Sequence, residues 1–95
     1  MKFRIPDGFN LGGLWWTVEK DSAIPAESSR YAETLYRIET IRLGKGYSAQ
    51  RVQENFLHEV IHAVSECGSI GISEKQVTQL SYGLMSVLQQ LEAEP

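Results

Sequence analysis

The sequence predicts an α+β domain: a small antiparallel or mixed sheet of about three strands, followed by two antiparallel helices. Three observations predict it. Aromatic and β-branched residues gather in the first half of the chain and stop at Gly44-Lys45-Gly46, as short strands bounded by turn residues do. Apolar residues in the second half recur at spacings of three and four, which is the helical period. The first of these helical stretches contains His58-Glu59-Val60-Ile61-His62, an HExxH pattern. The 95 residues suffice for one hydrophobic core and make a single domain, 1–95. It comprises a sheet region over 3–43, a motif helix over 48–67 and a second helix over 73–92.

Phe3 to Ile5 reads as a short strand stopped by the turn signature Pro6-Asp7-Gly8. Gly8, Gly12 and Gly13 read as turns, since their spacing fits neither a phosphate-binding loop nor a dinucleotide fingerprint. Leu14 to Glu19 reads as a strand whose alternation puts Leu14, Trp16 and Val18 on one face and Trp15, Thr17 and Glu19 on the other. One tryptophan is then expected in the core; Trp15 either covers the outer sheet surface or lines a cleft. Asp21 to Arg30 reads as a loop. Two strands follow, near Ala32–Tyr36 and Thr40–Leu43, joined by a tight turn at Arg37–Glu39 or merged into one bulged strand.

Ser48 is the expected N-cap of the motif helix, with Arg51 at the position where a full capping box has an acid or amide. Val52, Phe56, Leu57, Val60, Ile61 and Val64 carry that helix to about Cys67, and Gly68 stops it. Ser73 opens the second helix and Gln76 completes a Ser-x-x-Gln capping box. Val77, Leu80, Leu84, Val87 and Leu91 then form an apolar seam. The seam reads as packing within the domain and is also suited to a partner helix or a homodimer through 73–92. Gly83 is expected to let the two helices approach closely, near Ala63.

Composition narrows the function classes. Hydrophobic content of 42% and charged content of 22% are those of a soluble globular protein. The net charge of −3 and scattered basic residues give no footprint for nucleic acid. No apolar stretch approaches membrane-spanning length. A single cysteine, Cys67, forms no internal disulfide. With Met1-Lys2-Phe3-Arg4 followed by Ile5-Pro6-Asp7 rather than an apolar run, the expected location is cytoplasmic.

HExxH carries the chemistry. His58 and His62 stand about 6 Å apart along a helix axis and share a face, so their imidazoles can converge on one Zn2+ ion. Glu59 sits beside them, placed to act on a metal-bound water. The chain has two histidines and both fall in the motif; by average residue usage the pattern arises by chance in roughly one chain of this size in a few hundred. A catalytic zinc takes three protein ligands and keeps a fourth position open. Glu66 and Cys67 lie roughly 12–14 Å from His58 along a straight helix, too far to complete the set. Glu74, opening the second helix, is a candidate third ligand; spacing leaves equally open that it is a first-turn acid favoured by the helix dipole.

The order strand, hairpin, HExxH helix, then a helix reading Glu74-x-x-Val77-x-x-Leu80-x-x-Gly83-Leu84 resembles the short phage and prophage proteins related to the ImmA/IrrE-type zinc metallopeptidases. Ile41 and Leu43 before the helix and Phe56 to Ala63 match as well, so the likeness spans roughly residues 31 to 91. It implies a minimal zincin-like fold, phage or prophage origin with action in the host cytoplasm, and Glu74 as the third zinc ligand beside His58 and His62. It also implies a metallopeptidase in which Glu59 is the general base and a peptide or protein is the substrate. Compared with the larger peptidases, the connection from His62 to Glu74 is short and leaves no room for a lower subdomain. Tyr82, two helical turns after Glu74, is a candidate oxyanion donor or else a surface tyrosine. The alternative to an enzyme is a non-catalytic, zinc-stabilised protein-interaction module, for which a thin core would supply the reason. Glu59 discriminates between them, since a structural site closes its fourth position with protein and has no use for an acid beside the metal.

Overall fold

The computed structural model of the chain describes residues 4–24 and 31–93. Over these residues the order is β1 (Gly8–Leu11), β2 (Leu14–Ser22), β3 (Ala32–Leu35), a single 3-10 turn (Tyr36–Ile38), β4 (Thr40–Gly44), α1 (Ala49–Cys67) and α2 (Glu74–Ala93). The fold is α+β as expected, with four strands in place of about three. The sheet order is β1-β2-β4-β3. β2 pairs antiparallel with β1 and parallel with β4, and β4 pairs antiparallel with β3, so the sheet is mixed.

The additional strand comes from a hairpin that the glycines encode. Gly12 and Gly13 both have positive φ, +61° and +87°, which is what a two-residue hairpin turn matched to strand twist requires. They pair Leu11 with Leu14 and bring Phe9 opposite Trp16, whose rings stack at 6.4 Å. Gly8 is therefore the start of a strand and not only a turn residue. Arg4 and Ile5 are outside any strand, which corrects the strand expected over 3–5; Phe3 lies outside the described residues. Gly8 lies under the indole of Trp15, which a side chain there would strike. That fixes Trp15 on the outer face of the sheet.

The inner face follows the alternation. Trp16 and Val18 of β2, Ile41 and Leu43 of β4 and Ala32 of β3 are buried and form one cluster with Phe56 and Ala63 of α1. Leu14 is an exception to the expected face, being exposed at the hairpin end. On the outer face Glu19, Arg42 and Glu33 stand side by side in register, with Arg42 3.2 Å from Glu19 and 3.1 Å from Glu33. The turn at 37–39 is made without glycine: Glu39 takes the left-handed conformation at φ 44°, and Thr40 and Ile41 resume the strand.

Both helix starts are capped as the sequence predicts. Ser48 Oγ accepts from the Arg51 amide at 3.2 Å. At α2 the box is reciprocal: the Gln76 amide donates to Ser73 Oγ at 3.1 Å and the Ser73 amide donates to Gln76 Oε1 at 2.7 Å. α1 buries Phe56 and Ala63 on the sheet and also buries Leu57 and Ile61, about a quarter turn further round. α2, packed on α1, covers that second face.

The lane α2 buries is not the expected seam. Val77, Ser81 and Met85 are buried, whereas Leu80, Leu84, Val87 and Leu91 are exposed. Val77 belongs to both lanes, and the two diverge after it by one residue, or about 100° of rotation. The rotation that carries Glu74 to the histidines also turns Ser81, two turns on, inward. Gly83 correspondingly faces open space, with nothing within 4 Å of where a Cβ would stand, so it does not mediate the helix approach. Gly83→Ala should then raise stability by about 0.5–1 kcal/mol, the ordinary helix-interior gain. Denaturant titration checks this, and a loss of stability would mean that Gly83 packs against a neighbour.

Candidate metal centre

His58 and His62 fall on the flank of α1 that faces the groove between β3 and the start of α2. Their rings lie 4.9 Å apart between centroids, inclined at 64°. α1 ends at Gly68, and the short connection returns the chain so that Glu74, the first residue of α2, reaches back over both. Its carboxylate spans them: Oε2 is 2.7 Å from His58 Nε2 and Oε1 is 2.9 Å from His62 Nε2. The two imidazoles are largely covered while the glutamate is mostly exposed, with side-chain exposures of 20%, 27% and 69%.

The three side chains offer donor atoms within 4.8 Å of one another. Two imidazole nitrogens and one carboxylate are a donor set that zinc takes in open, three-ligand sites. Donors this close can converge at about 2.0–2.2 Å on one ion with side-chain adjustment alone. The residues therefore fit Zn2+. Exposed acids often gather with no ion between them. The distinguishing feature here is that two imidazole nitrogens from one helix converge with a carboxylate from another.

Glu59 stands one residue round the helix, on the side that faces β3. Thr34 is on the inner face of that strand, paired with Ile41, and its hydroxyl donates to Glu59 Oε1 at 2.5 Å and approaches the Glu59 carbonyl at 3.3 Å. The carboxylate is thus held beside the three-residue cluster without belonging to it. A groove of about 580 Å³ runs over the site, walled by β3, α1 and α2 and lined by Thr34, Asn55, His58, Glu59, Glu74 and Tyr82 among others. β3 is the terminal strand, so among the described residues its outer edge is unpaired.

Tyr82 lines this groove, as its position after Glu74 suggests, and is well exposed. Tyr36 lines it too and was not singled out from the sequence. Two-residue alternation from Ala32 through Thr34 carries Tyr36 to the same side, which is the signal that finds it. Its ring packs edge-on against Trp16 at 6.4 Å. Burial raises the Tyr36 pKa, and the nearby charges of Glu59, Glu66 and Glu74 raise it further. The phenol accordingly keeps its proton and remains a hydrogen-bond donor. Glu66 and Cys67 stand outside the cluster, as the helix spacing requires. Cys67 is exposed and lies against Gly12 of the β1–β2 turn. Trp15 does not line the groove.

Compared with protein-family models, with curated proteins and with solved structures, the chain matches none.

Replacing Glu74 separates ligation from a helix-end effect. A first-turn acid contributes at most about 1 kcal/mol, less than tenfold in binding even if fully transmitted. Glu74→Ala should lower zinc affinity by far more than tenfold in competition with a chelator, and His58→Ala or His62→Ala should abolish stoichiometric binding. A Glu74→Ala loss below tenfold would remove it from the ligand set.

Proposed function

We propose that this chain is a zinc-dependent metallopeptidase-like hydrolase of phage or prophage origin, acting on a peptide or protein in the host cytoplasm. The observation that supports this reading best is Glu59: a carboxylate fixed by Thr34, facing the groove, adjacent to a two-histidine, one-glutamate cluster yet outside it. No helix among the described residues is long and apolar enough to cross a membrane.

His58, His62 and Glu74 would hold the ion, which when bound supplies a Lewis acid that activates water and polarises a carbonyl. Glu59 is the general base. Thr34 occupies its Oε1 and fixes the plane of the carboxylate, leaving Oε2 to take the proton from the attacking water and return it to the departing amine nitrogen. The free edge of β3 lies along the groove, where an extended peptide could pair with main-chain groups. Tyr36 and Tyr82 flank the groove, where their hydroxyls are candidate donors for the negative charge that develops on the carbonyl oxygen. Among the described residues nothing closes over the groove, and a substrate there would be held mainly by β3 and the two helices.

A non-catalytic, zinc-stabilised interaction module is the second reading, and the exposed leucines of α2 favour it. Glu59→Gln decides between the two. The variant should retain the fold and bound zinc while peptide-library cleavage falls by about 10²–10⁴-fold, the usual contribution of a positioned acid or base. Equal cleavage by both proteins would remove Glu59 as the base. No cleavage by the zinc-loaded wild type would support the interaction module.

A further inference from the structure

α2 carries an apolar lane that is left exposed among the described residues. Leu80, Leu84, Val87 and Leu91 are 48%, 45%, 52% and 63% exposed. Their spacings of four, three and four are those of a helix seam that packs knobs into holes against another helix. The lane lies on the opposite side of α2 from Thr78 and Tyr82, which line the groove, so covering it leaves the groove open. From Gln76 to Leu91 there is no charged residue, in a chain where 22% are charged. An exposed helix normally carries charges on its solvent side, whereas loss of charge marks the centre of a protein interface.

We propose that this face of α2 binds the same face of a second copy, forming an antiparallel helix pair about a two-fold axis. Three features point to a second copy rather than an unlike partner. With no charge along it, the lane has nothing to steer or select an oppositely charged surface. The spacing is self-matching: antiparallel pairing sets Leu80 opposite Leu91 and Leu84 opposite Val87, as an isologous contact requires. The polar residues beside the lane, including Gln79 and Gln90, are amides that donate and accept at once, so each can meet its own kind. Antiparallel pairing also brings opposite ends of the helix dipoles together. An interface confined to one flank of a 20-residue helix lies at the low end for specific complexes, below about 1,200 Å² in total. The dimer is accordingly weak and reversible. This inference does not depend on catalysis or on the metal.

Sedimentation of the zinc-loaded full chain, from about 5 µM to about 500 µM, spans the range in which so small an interface exchanges. The wild type should move from monomer to dimer and go no further. Leu84→Glu and Val87→Lys, both at exposed positions, should each weaken association more than tenfold while circular dichroism shows wild-type helix content. Mixing the two variants should restore the dimer, because antiparallel pairing sets the new glutamate opposite the new lysine. A wild type that stays monomeric throughout, as it would if the face serves an unlike partner, overturns the proposal. So does open-ended association, variants that dimerise like the wild type, or a mixture that fails to recover.

Discussion

The bridge from Glu74 to His58 and His62 is the contact on which the arrangement of this small domain depends. It ties the first residue of α2 to the groove-facing flank of α1, in agreement with the rotation of α2 that buries Val77 and Met85. The capping box at Ser73 and Gln76 makes that placement definite, because it sets the helix start one residue before the acid. With the rotation fixed, Val77, Ser81 and Met85 face inward and the leucine lane faces out. A metal held at this point would stabilise the helix pair as well as supply chemistry, since binding at a preformed site adds directly to folding stability.

The sheet contributes through its edge. β4 is buried between β2 and β3 and anchors the core with Ile41 and Leu43, which leaves β3 free on its outer side. That strand supplies Thr34 to the carboxylate of Glu59, and the 3-10 turn that follows it supplies Tyr36 to the groove. The site is thus built from three elements around α1, with the histidines and Glu59 on neighbouring positions of one helix. The charge-free flank of α2 lies away from all of this, so a surface for self-association and a groove for a peptide can coexist in one short chain.

Much of this was legible in the residues because the signals were local. HExxH on an apolar helix, the Ser73–Gln76 box, the Gly68 stop and the alternation around Trp16 each act within a few positions, and each appears where the sequence puts it. Glu74 was reachable by elimination along the helix axis and by resemblance, although spacing by itself left it open. The β1 strand was missed because Gly12-Gly13 was read as loop punctuation, not as the two-residue turn that pairs the segments on either side. The α2 seam was misplaced for a different reason. Two lanes one residue apart satisfy the same helical period, and the tertiary packing that buries Val77, Ser81 and Met85 chooses between them. Tyr36 escaped notice because its role depends on which side of the edge strand faces α1.

In the proposed site, His58, His62 and Glu74 would hold one metal ion with an open position and Glu59 beside it. Anomalous diffraction at the zinc edge from crystals of the zinc-loaded chain tests this most directly. The account predicts a single strong peak within bonding distance of His58 Nε2, His62 Nε2 and the Glu74 carboxylate, with no protein atom in the fourth position and Glu59 outside the ligand shell. A peak elsewhere, or one whose fourth position is filled by Glu59 or another side chain, would contradict it.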